Sequence, residues 1–380
     1  MYKQFKQRLG SLIATPSVSC TLASHDMSNR PAIDLLSSWF EHKGFDCRIQ
    51  ELQPNKANLI ACLGRGSGGL VLSGHSDTVP FDESRWQSNP LAVDERDSRF
   101  FGLGSCDMKG FFAVILAALD ELQLTISELK KPLIVLATAD EESSMSGARA
   151  LCAADLLNSR YAIIGEPTGL VPIYMHKGIG MHRLNIKGRA GHSSNPELGN
   201  NAIEAMHEVI GELLSFRTDM QKQHQNPAFA IASPTMNLGC VHGGDNPNRI
   251  CGSCELDFDL RPLPGMELEQ LQEAIDARLQ LIAERRGVEL QLDKLFDGVD
   301  AFAEHKDSEL ISLAEELSGH SAETVAFATE APFLKKLGMQ TVVLGPGSID
   351  QAHQPDEFLH FDQIKPAVNI VKSAIKRYCL

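Results

Sequence analysis

The sequence contains no apolar run long enough to cross a lipid bilayer. Its densest apolar stretch, 111–119, is far shorter than the roughly 20 residues that a transmembrane helix needs. Residues 1–20 mix charged with apolar side chains and lack the continuous apolar segment and cleavage site of a secretory signal. These absences predict a cytoplasmic protein without a membrane span.

An excess of positive charge is also missing. The 380 residues carry a formal net charge of −14, so nucleic acids and anionic membranes would repel the chain. Low-complexity tracts are absent, and 43% hydrophobic with 22% charged residues is typical of a folded globular protein. The composition therefore predicts a small-molecule ligand and no nucleic-acid or membrane partner.

The cysteines do not form a disulfide pattern. There are nine, an odd number, and they are scattered along the chain, which fits reduced thiols better than a disulfide framework. Cys251 and Cys254 form the one close pair. We interpret them as two thiols of a strand, with redox or zinc chemistry as the alternative.

What the sequence does contain is a change in its pattern of hydrophobicity, within a length that already predicts two domains. Through about residue 175, short apolar strands alternate with amphipathic helices, which is typical of a mostly parallel sheet covered by helices. These predicted strands are 70–72, 133–138 and 161–164, with helices such as 108–122 and 145–156. The same pattern returns after about residue 296, with helix 308–318, strand 341–344 and helix 363–379.

Between these two parts lies a segment of a different kind. In 251–260, apolar and polar residues alternate, so one face of this sheet should be exposed to water. The predicted order is strand 179–187, helix 201–220, strands 235–241 and 250–260, helix 266–286 and strand 288–295. This β-α-β-β-α-β order predicts a ferredoxin-like α+β insert, 178–295, within an α/β domain made of 1–177 and 296–380.

Ligand-type side chains follow the ends of the predicted α/β strands. They are His75 and Asp77 in LSGHSDTVP, Glu141 and Glu142 in ADEES, Glu166 in IGEPT, and His353 in DQAHQ, and Asp107 stands just before a helix. Because ligands bind beyond the carboxyl ends of parallel strands, these groups should converge. Singly, each has a structural alternative, such as a turn histidine, a helix cap or a solvated charge pair. Jointly, they favour a functional site.

Several carboxylates and two imidazoles in one crevice need a cation, because buried negative charges are very costly when they are unpaired. Imidazole and carboxylate without thiolate fit zinc, cobalt or manganese better than magnesium or calcium. Five ligands are too many for one open catalytic zinc. They predict a site for two metal ions that share a carboxylate.

These motifs resemble those of the M20 metallopeptidase and amidohydrolase family. GHSDTVP, FGLGSCDMKG, DEES, IGEPT and AHQPDE are similar to the family's metal-site elements, and KGRAGHSSNPELGNNAI is similar to its dimerisation-domain histidine motif. The resemblance implies a catalytic domain, 1–177 and 296–380, with an inserted dimerisation or lid domain, 178–295. It also implies two divalent ions, zinc or cobalt, that are bridged by Asp107, with His75 and Glu166 on one ion and Glu142 and His353 on the other.

The resemblance further implies roles for residues that do not bind metal. Asp77 would orient the ring of His75, and Glu141 would be the general base. His192 would reach the active site of the second subunit of a homodimer and donate a hydrogen bond to the oxyanion. The alternative for His192 is a polar lid histidine near a turn.

Within the family, the segments ATADEESSMSGAR, ATEAPF and LGPGSIDQAHQPDEFL are typical of enzymes that deacetylate N2-acetyl-L-ornithine in bacterial arginine biosynthesis. The residues predicted to bind this substrate are Arg249 and Arg261 for its α-carboxylate, Glu330 for its distal ammonium, and also Asn248 and Gly347. Arg261 has a structural role as its alternative. The alternative functions are hydrolysis of N-succinyl-diaminopimelate, a broader aminoacylase or dipeptidase activity, and a catalytically silent binding protein.

Overall fold

The computed structural model describes residues 1–124 and 126–380, and the chain forms two compact units. The first unit comprises Met1–Tyr174, Glu304–Glu323 and Thr329–Leu380, and the second comprises Met175–Ala303 and Thr324–Ala328. The insert predicted at 178–295 covers most of the second unit. Its role as a dimerisation or lid domain stays a prediction.

The helices and strands are numbered here in chain order. The helices are α1 (Tyr2–Ile13), α2 (Arg30–Glu41), α3 (Lys109–Leu122), α4 (Ser146–Arg149), α5 (Ala202–Gln223), α6 (Leu268–Arg286), α7 (Glu309–Ser318), α8 (Ala331–Lys336) and α9 (Phe361–Cys379). The strands are β1 (Asp46–Gln53), β2 (Lys56–Leu63), β3 (Leu70–His75), β4 (Asp94–Arg96), β5 (Arg99–Phe101), β6 (Leu133–Thr138), β7 (Tyr161–Pro167), β8 (Ile173–His176), β9 (Gly180–Lys187), β10 (Gly191–His192), β11 (Thr235–Gly243), β12 (Arg249–Ile250), β13 (Ser253–Arg261), β14 (Glu289–Lys294), β15 (Phe302–Ala303), β16 (Glu323–Val325), β17 (Gln340–Gly345) and β18 (Phe358–His360). In the part of the chain that the structure describes, no helix combines the length and the apolarity that a membrane span needs.

The main sheet of the first unit has a parallel centre and antiparallel edges. Its strands run in the order β1-β2-β6-β3-β7-β17-β8. Strand β3 is parallel to β6 and β7, and β17 is parallel to β7, whereas β2 is antiparallel to β1 and β6. The central strands β3, β6 and β7 are buried along their whole length, as expected when helices cover a parallel sheet. The predicted α/β fold is confirmed.

The second unit is built on an antiparallel sheet of order β11-β13-β9-β14. Helix α5 lies between β9 and β11 in the sequence, and α6 lies between β13 and β14, so the predicted βαββαβ order is confirmed. Along β13, buried residues alternate with partly exposed ones, because one face packs on the unit's own core and the other faces water. The short pair β10 and β12 is an addition to the predicted pattern.

The helix predicted over 145–156 is wrong. Only Ser146–Arg149 is helical. Beyond it, the backbone N–H of Cys152 donates to the carboxylate of Asp155 (3.3 Å), and Leu157 and Asn158 adopt left-handed φ angles of 50° and 47°. Side chains that bond to nearby backbone groups compete with helix formation, and here this competition ends the helix after one turn.

A buried ion pair supports the turn that follows β6. Lys56, the first residue of β2, places its Nζ 2.7 Å from Asp140 and 2.8 Å from Asp26. Burial alone would lower the pKa of Lys56, but its hydrogen bonds to Asp140 and Asp26 raise it, so the ammonium stays charged. The backbone carbonyl of Asp140 accepts from the N–H of Ser144 and Met145. Lys56 therefore anchors the turn that carries residues 141 and 142.

Replacing Lys56 by methionine should destabilise the protein. The K56M variant leaves the Asp140 carboxylate buried without its cation, and we expect the free energy of unfolding to fall by about 3 kcal/mol. Urea denaturation measures this change. K6M is the matched control, because the ion pair between Lys6 and Glu95 is exposed and such pairs contribute less than about 1 kcal/mol. Equal stability of the two variants would contradict the prediction.

Candidate active site

The predicted ligand residues lie at one edge of the main sheet of the first unit. His75 is the last residue of β3, Glu166 lies near the end of β7, and Glu141 and Glu142 follow β6. His353 lies in the loop that follows β17. Because these four strands are parallel to one another through their shared neighbours, their carboxyl ends meet at the same edge.

Asp107 lies between the two histidines. Nε2 of His75 is 3.0 Å from Oδ1 of Asp107 and 4.0 Å from Oε2 of Glu166. Nε2 of His353 is 2.9 Å from Oε2 of Glu142 and 3.7 Å from Oδ2 of Asp107. The two oxygens of one carboxylate thus face two different imidazoles, and each imidazole has a further carboxylate beside it. This arrangement suits a carboxylate that is shared by two cations.

The donor atoms are close enough for metal binding. In each of two sets of three residues, the ligand atoms all lie within 4.8 Å of one another; the sets are His75, Glu141, Glu166 and His75, Asp107, Glu142. Among the described residues, the buried atoms without a hydrogen-bond partner include Oε1 of Glu142 and Oε1 of Glu166. A buried carboxylate oxygen without a partner is costly. The residues present therefore fit divalent cations.

The carboxylates at this edge favour positive charge. The hydrogen bond to Glu142 is the main reason why the pKa of His353 rises to about 9. Burial alone would lower the pKa of His75, but its hydrogen bond to Asp107 and the nearby carboxylates raise it well above its usual value. Burial, together with the charges of neighbouring acids, raises the pKa of Glu141 and Glu166 well above their usual range. The site would thus be stabilised by bound cations.

The nearest thiol does not belong to the donor set. Cys106 precedes Asp107 and is 2% exposed. Burial, and then the charges of Glu357 and Asp107, raise the pKa of this thiol well above its usual value, and the thiol donates to the carbonyl of Ser348 (3.4 Å). Since a metal binds the thiolate, Cys106 is a poor candidate ligand, and the candidate donors around Asp107 are carboxylates and imidazoles.

Asp77 contacts both His75 and Glu142. Nδ1 of His75 lies 3.0 Å from the backbone carbonyl oxygen of Asp77 and 3.8 Å from its carboxylate. The hydrogen bond that orients the imidazole of His75 is therefore made by the main-chain carbonyl of Asp77, whereas the prediction was that the side chain of Asp77 would orient it. The Asp77 carboxylate instead accepts from the backbone N–H of Glu142 (3.1 Å). With Nδ1 bound to this carbonyl, Nε2 points at the donor set.

Two further buried charged residues lie beside the site, and neither was assigned from the sequence. Lys109, at the start of α3, donates to the carbonyls of Leu12 (3.1 Å) and Thr15 (2.8 Å) and so ties α3 to the end of α1. Glu357 accepts hydrogen bonds from the loop that contains Asp107. The signal for both was their position within the quoted motifs, CDMKG and AHQPDE.

In the second unit, three of the predicted residues lie together. His192 of β10 pairs with Arg249 of β12, and the N–H of Ser193 donates to the carbonyl of Asn248 (3.0 Å). His192 and Arg249 are both exposed. Through this backbone pairing, His192, Asn248 and Arg249 form one polar cluster, although the two motifs that supply them are distant in the sequence.

The structure does not bring Arg261 into this cluster. Arg261 is the last residue of β13, and its Nε donates to Asp259 (3.0 Å). Arg249 lies before Ser253, the first residue of β13. From Ser253 to Arg261, the strand is roughly 26 Å long at 3.3 Å per residue. This separation favours the structural alternative for Arg261.

Glu330 and Gly347 also contact protein groups. Glu330 is 1% exposed, and burial raises its pKa to about 7. Its Oε1 is buried without a hydrogen-bond partner, and its contact with the ammonium of a substrate stays a prediction. Gly347 has a φ of 95°, and a Cβ there would lie 2.3 Å from Sγ of Cys106. Gly347 therefore allows two loops to approach each other, and no group of it is left free to select a substrate's side chain.

The comparison with known proteins agrees with this geometry. A sequence profile of peptidase family M20/M25/M40 matches residues 71–377, which include all five predicted metal ligands. The chain belongs to peptidase family M20/M25/M40. The resemblance predicted from the motifs is therefore confirmed, and the M20 match extends through the inserted unit.

Individual members of the M20 family are similar to most of the chain. An acetylornithine deacetylase of Vibrio campbellii is 48% identical to it over 97% of each chain. The crystal structure of aminopeptidase PepT from Bacillus cereus matches with a TM-score of 0.77 at 18% identity, covering 99% of this chain and 98% of the other. A Bacillus subtilis structure, described as a dinuclear metal-binding M20 peptidase, matches with a TM-score of 0.68 at 17% identity, covering 99% of each chain. The two structures establish the shared fold, and the chain is a hydrolase of this family.

Changing His353 to alanine should reduce metal binding. His353 is the more exposed of the two site histidines, with a side-chain exposure of 56% against 1% for His75, so the H353A variant should fold normally. Loss of a residue that only supports a metal ligand typically weakens metal binding about 10- to 100-fold, and loss of the ligand itself should cost more. We therefore expect the affinity for zinc to fall at least about 100-fold. Calorimetric titration of the metal-free protein measures this.

The control for this experiment is H305A, because His305 is 77% exposed and lies outside the site. H305A should bind zinc like the unaltered protein. Unchanged zinc affinity in H353A would show that His353 is not a ligand.

Proposed function

We propose that this M20 enzyme is an acetylornithine deacetylase, which hydrolyses the amide of N2-acetyl-L-ornithine to L-ornithine and acetate. The observation that carries the proposal is the 48% identity over 97% of each chain with the acetylornithine deacetylase of Vibrio campbellii. The segments ATEAPF and LGPGSIDQAHQPDEFL predict the same substrate. A role in arginine biosynthesis is part of this proposal.

Five residues would hold the metal ions. Asp107 would be shared, His75 and Glu166 would hold one cation, and Glu142 and His353 would hold the other; the distances of 3.0 Å and 3.7 Å from the histidines to Asp107 support this division. Two divalent cations, zinc or cobalt, would polarise the acyl carbonyl and lower the pKa of the attacking water. Asp77 keeps His75 and Glu142 in position through its carbonyl and its carboxylate.

Glu141 is the general base in this proposal. Its carboxylate lies within 4.8 Å of the ligand atoms of His75 and Glu166, so it can reach a water molecule held at the same edge. Glu141 takes a proton from the attacking water and later delivers it to the departing amine of ornithine. The neighbouring Glu142 lies within hydrogen-bond distance of His353. Glu142 would therefore be a metal ligand, whereas Glu141 would be the base.

The polar cluster of the second unit would complete the site in a homodimer. His192 donates a hydrogen bond to the oxyanion in the active site of the other subunit. Arg249, together with Asn248, binds the α-carboxylate of the substrate. The exposure of His192 and Arg249 supports this proposal, because exposed side chains can contact a ligand or a second chain. Arg249 would exchange its ion pair with Asp245 (2.6 Å) for the carboxylate of the substrate.

A cytoplasmic location belongs to the same proposal. All nine cysteines are free thiols, including the close pair Cys251 and Cys254, which fits a reducing compartment. Of this pair, only Cys254 lies in a strand, β13, whereas Cys251 lies between β12 and β13, so the prediction of two strand thiols is correct for Cys254 alone.

Changing Glu141 to alanine should abolish turnover while the protein keeps its metal. General acid and base catalysis contributes about 10²- to 10⁴-fold, so kcat should fall by at least about 10² in E141A. Zinc content and kcat are measured on the same sample. E316A, which removes an exposed glutamate of α7, is the control and should keep full activity. Substantial residual turnover in E141A would assign the base to another residue.

The substrate is tested by a comparison of kcat/KM values. The enzyme reconstituted with zinc or cobalt is assayed with N2-acetyl-L-ornithine, N-succinyl-diaminopimelate and an acetylated neutral amino acid. We expect a preference of at least about 100-fold for acetylornithine, since a site that binds a polar group rejects analogues without it. Preference for the succinyl compound would indicate a desuccinylase. Equal rates would indicate a broad aminoacylase, and no turnover a binding protein.

A further inference from the structure

A carboxylate outside the proposed donor set holds the loop of Asp107. Glu357 is 2% exposed, and its side chain accepts three backbone N–H groups. Oε1 accepts from Cys106 (2.7 Å) and Asp107 (2.9 Å), and Oε2 accepts from Gly104 (2.9 Å). Burial raises the pKa of Glu357 to about 8, and the backbone N–H groups oppose this shift because they favour the ionised carboxylate. One side chain therefore fixes the backbone on which Asp107 stands.

The main chain of Glu357 binds the same loop. Its carbonyl oxygen accepts from the N–H of Gly102 (3.0 Å) and from Oγ of Ser105 (3.3 Å). Glu357 also stands four residues after His353. Side-chain and main-chain contacts of one residue thus connect the segment that carries His353 to the segment that carries Asp107.

The relative position of these two segments matters for the site. Oδ2 of Asp107 is 3.7 Å from His353, and Oδ1 of the same carboxylate is 3.0 Å from His75. Functional groups must be held within about 0.5 Å of their productive positions. A shift of the 104–107 backbone would move both oxygens of Asp107 at once, relative to both histidines.

We propose that Glu357 is a positioning residue, which sets the separation of Asp107 and His353 and thereby the affinity for divalent metal. The proposal rests on the metal site of the proposed function but not on its substrate. Both oxygens of Glu357 are occupied by backbone N–H groups, so its contribution comes through the loop and not through direct coordination.

The E357Q variant tests this role with almost no change in size. The amide replaces one acceptor oxygen by an NH2 group. In either orientation of the amide, this NH2 faces at least one backbone N–H of the 104–107 loop, so a donor opposes a donor. E357D is the second variant, because it keeps the charge but is one methylene shorter and cannot reach all three N–H groups.

The matched control is E304Q, which makes the same change at another buried carboxylate. Glu304 is 5% exposed, and it accepts from the N–H of Thr341 (3.0 Å) and His305 (2.9 Å) and from Lys335 (2.7 Å). Thr341 is at the amino end of β17, whereas the site lies beyond the carboxyl ends of the strands. E304Q should lose thermal stability and keep its metal affinity.

Metal affinity is measured by titrating Co2+ into the metal-free full-length protein. We expect the affinity of E357Q to be about 10- to 100-fold weaker, the effect typical of residues that support metal ligands, with a smaller loss in E357D. The cobalt concentration that gives half-maximal activity should rise by the same factor. At saturating cobalt, KM for the substrate should be unchanged.

The outcomes separate positioning from a merely structural role. A folded E357Q or E357D that binds Co2+ within about 2-fold of the unaltered protein overturns the proposal, and so does failure of both variants to fold. Weaker cobalt binding supports it even if acetylornithine proves to be the wrong substrate, because the titration needs no substrate. A loss of cobalt affinity in E304Q as large as in E357Q would also overturn it.

Discussion

Buried negative charge at one edge of a sheet is the constraint on which the rest of this structure depends. Carboxylates removed from water are stable only when they are paired or fully hydrogen-bonded. The chain pairs some of them itself: Lys56 balances Asp140, and backbone N–H groups surround Glu357. Oxygens of Glu142 and Glu166 are left without such partners. Oδ1 of Asp77 and Oε1 of Glu330 are also unpaired, so the position of the cations is inferred from the unpaired oxygens together with the histidines beside Glu142 and Glu166.

The parallel centre of the main sheet explains how such a site can be assembled from separate motifs. Each strand ends at the same edge, so short segments that are far apart in the sequence deliver one or two polar groups each. Asp77 then links two of these segments directly, since it contacts both His75 and Glu142. Neighbouring loops of the site thus bind one another directly.

Much of this arrangement could be predicted from the sequence, because it depends on local patterns. Continuous apolar strands followed by His75, Glu142 or Glu166 indicated both the parallel sheet and the site at its edge, and the alternation in β13 indicated the second sheet. Other features depend on tertiary contacts. The helix at 145–156 failed because Asp155 bonds to the backbone, and Glu357 escaped assignment because its partner Asp107 is 250 residues away in sequence. The depth of Glu330 is likewise invisible in a linear pattern.

The insertion of the second unit has a consequence for synthesis of the chain. Strand β17 pairs with β7, and α9 packs on α3, yet β17 and α9 are synthesised only after most of the second unit. Until then the edge of β7 that β17 covers has no partner, and His353 is absent from the site. Most of the second unit, Met175–Ala303, comes earlier in the sequence than β17 and has its own core, so it can fold first. The first unit must wait for β17 and α9 while it closes a loop of more than a hundred residues, which slows folding through the entropy of loop closure.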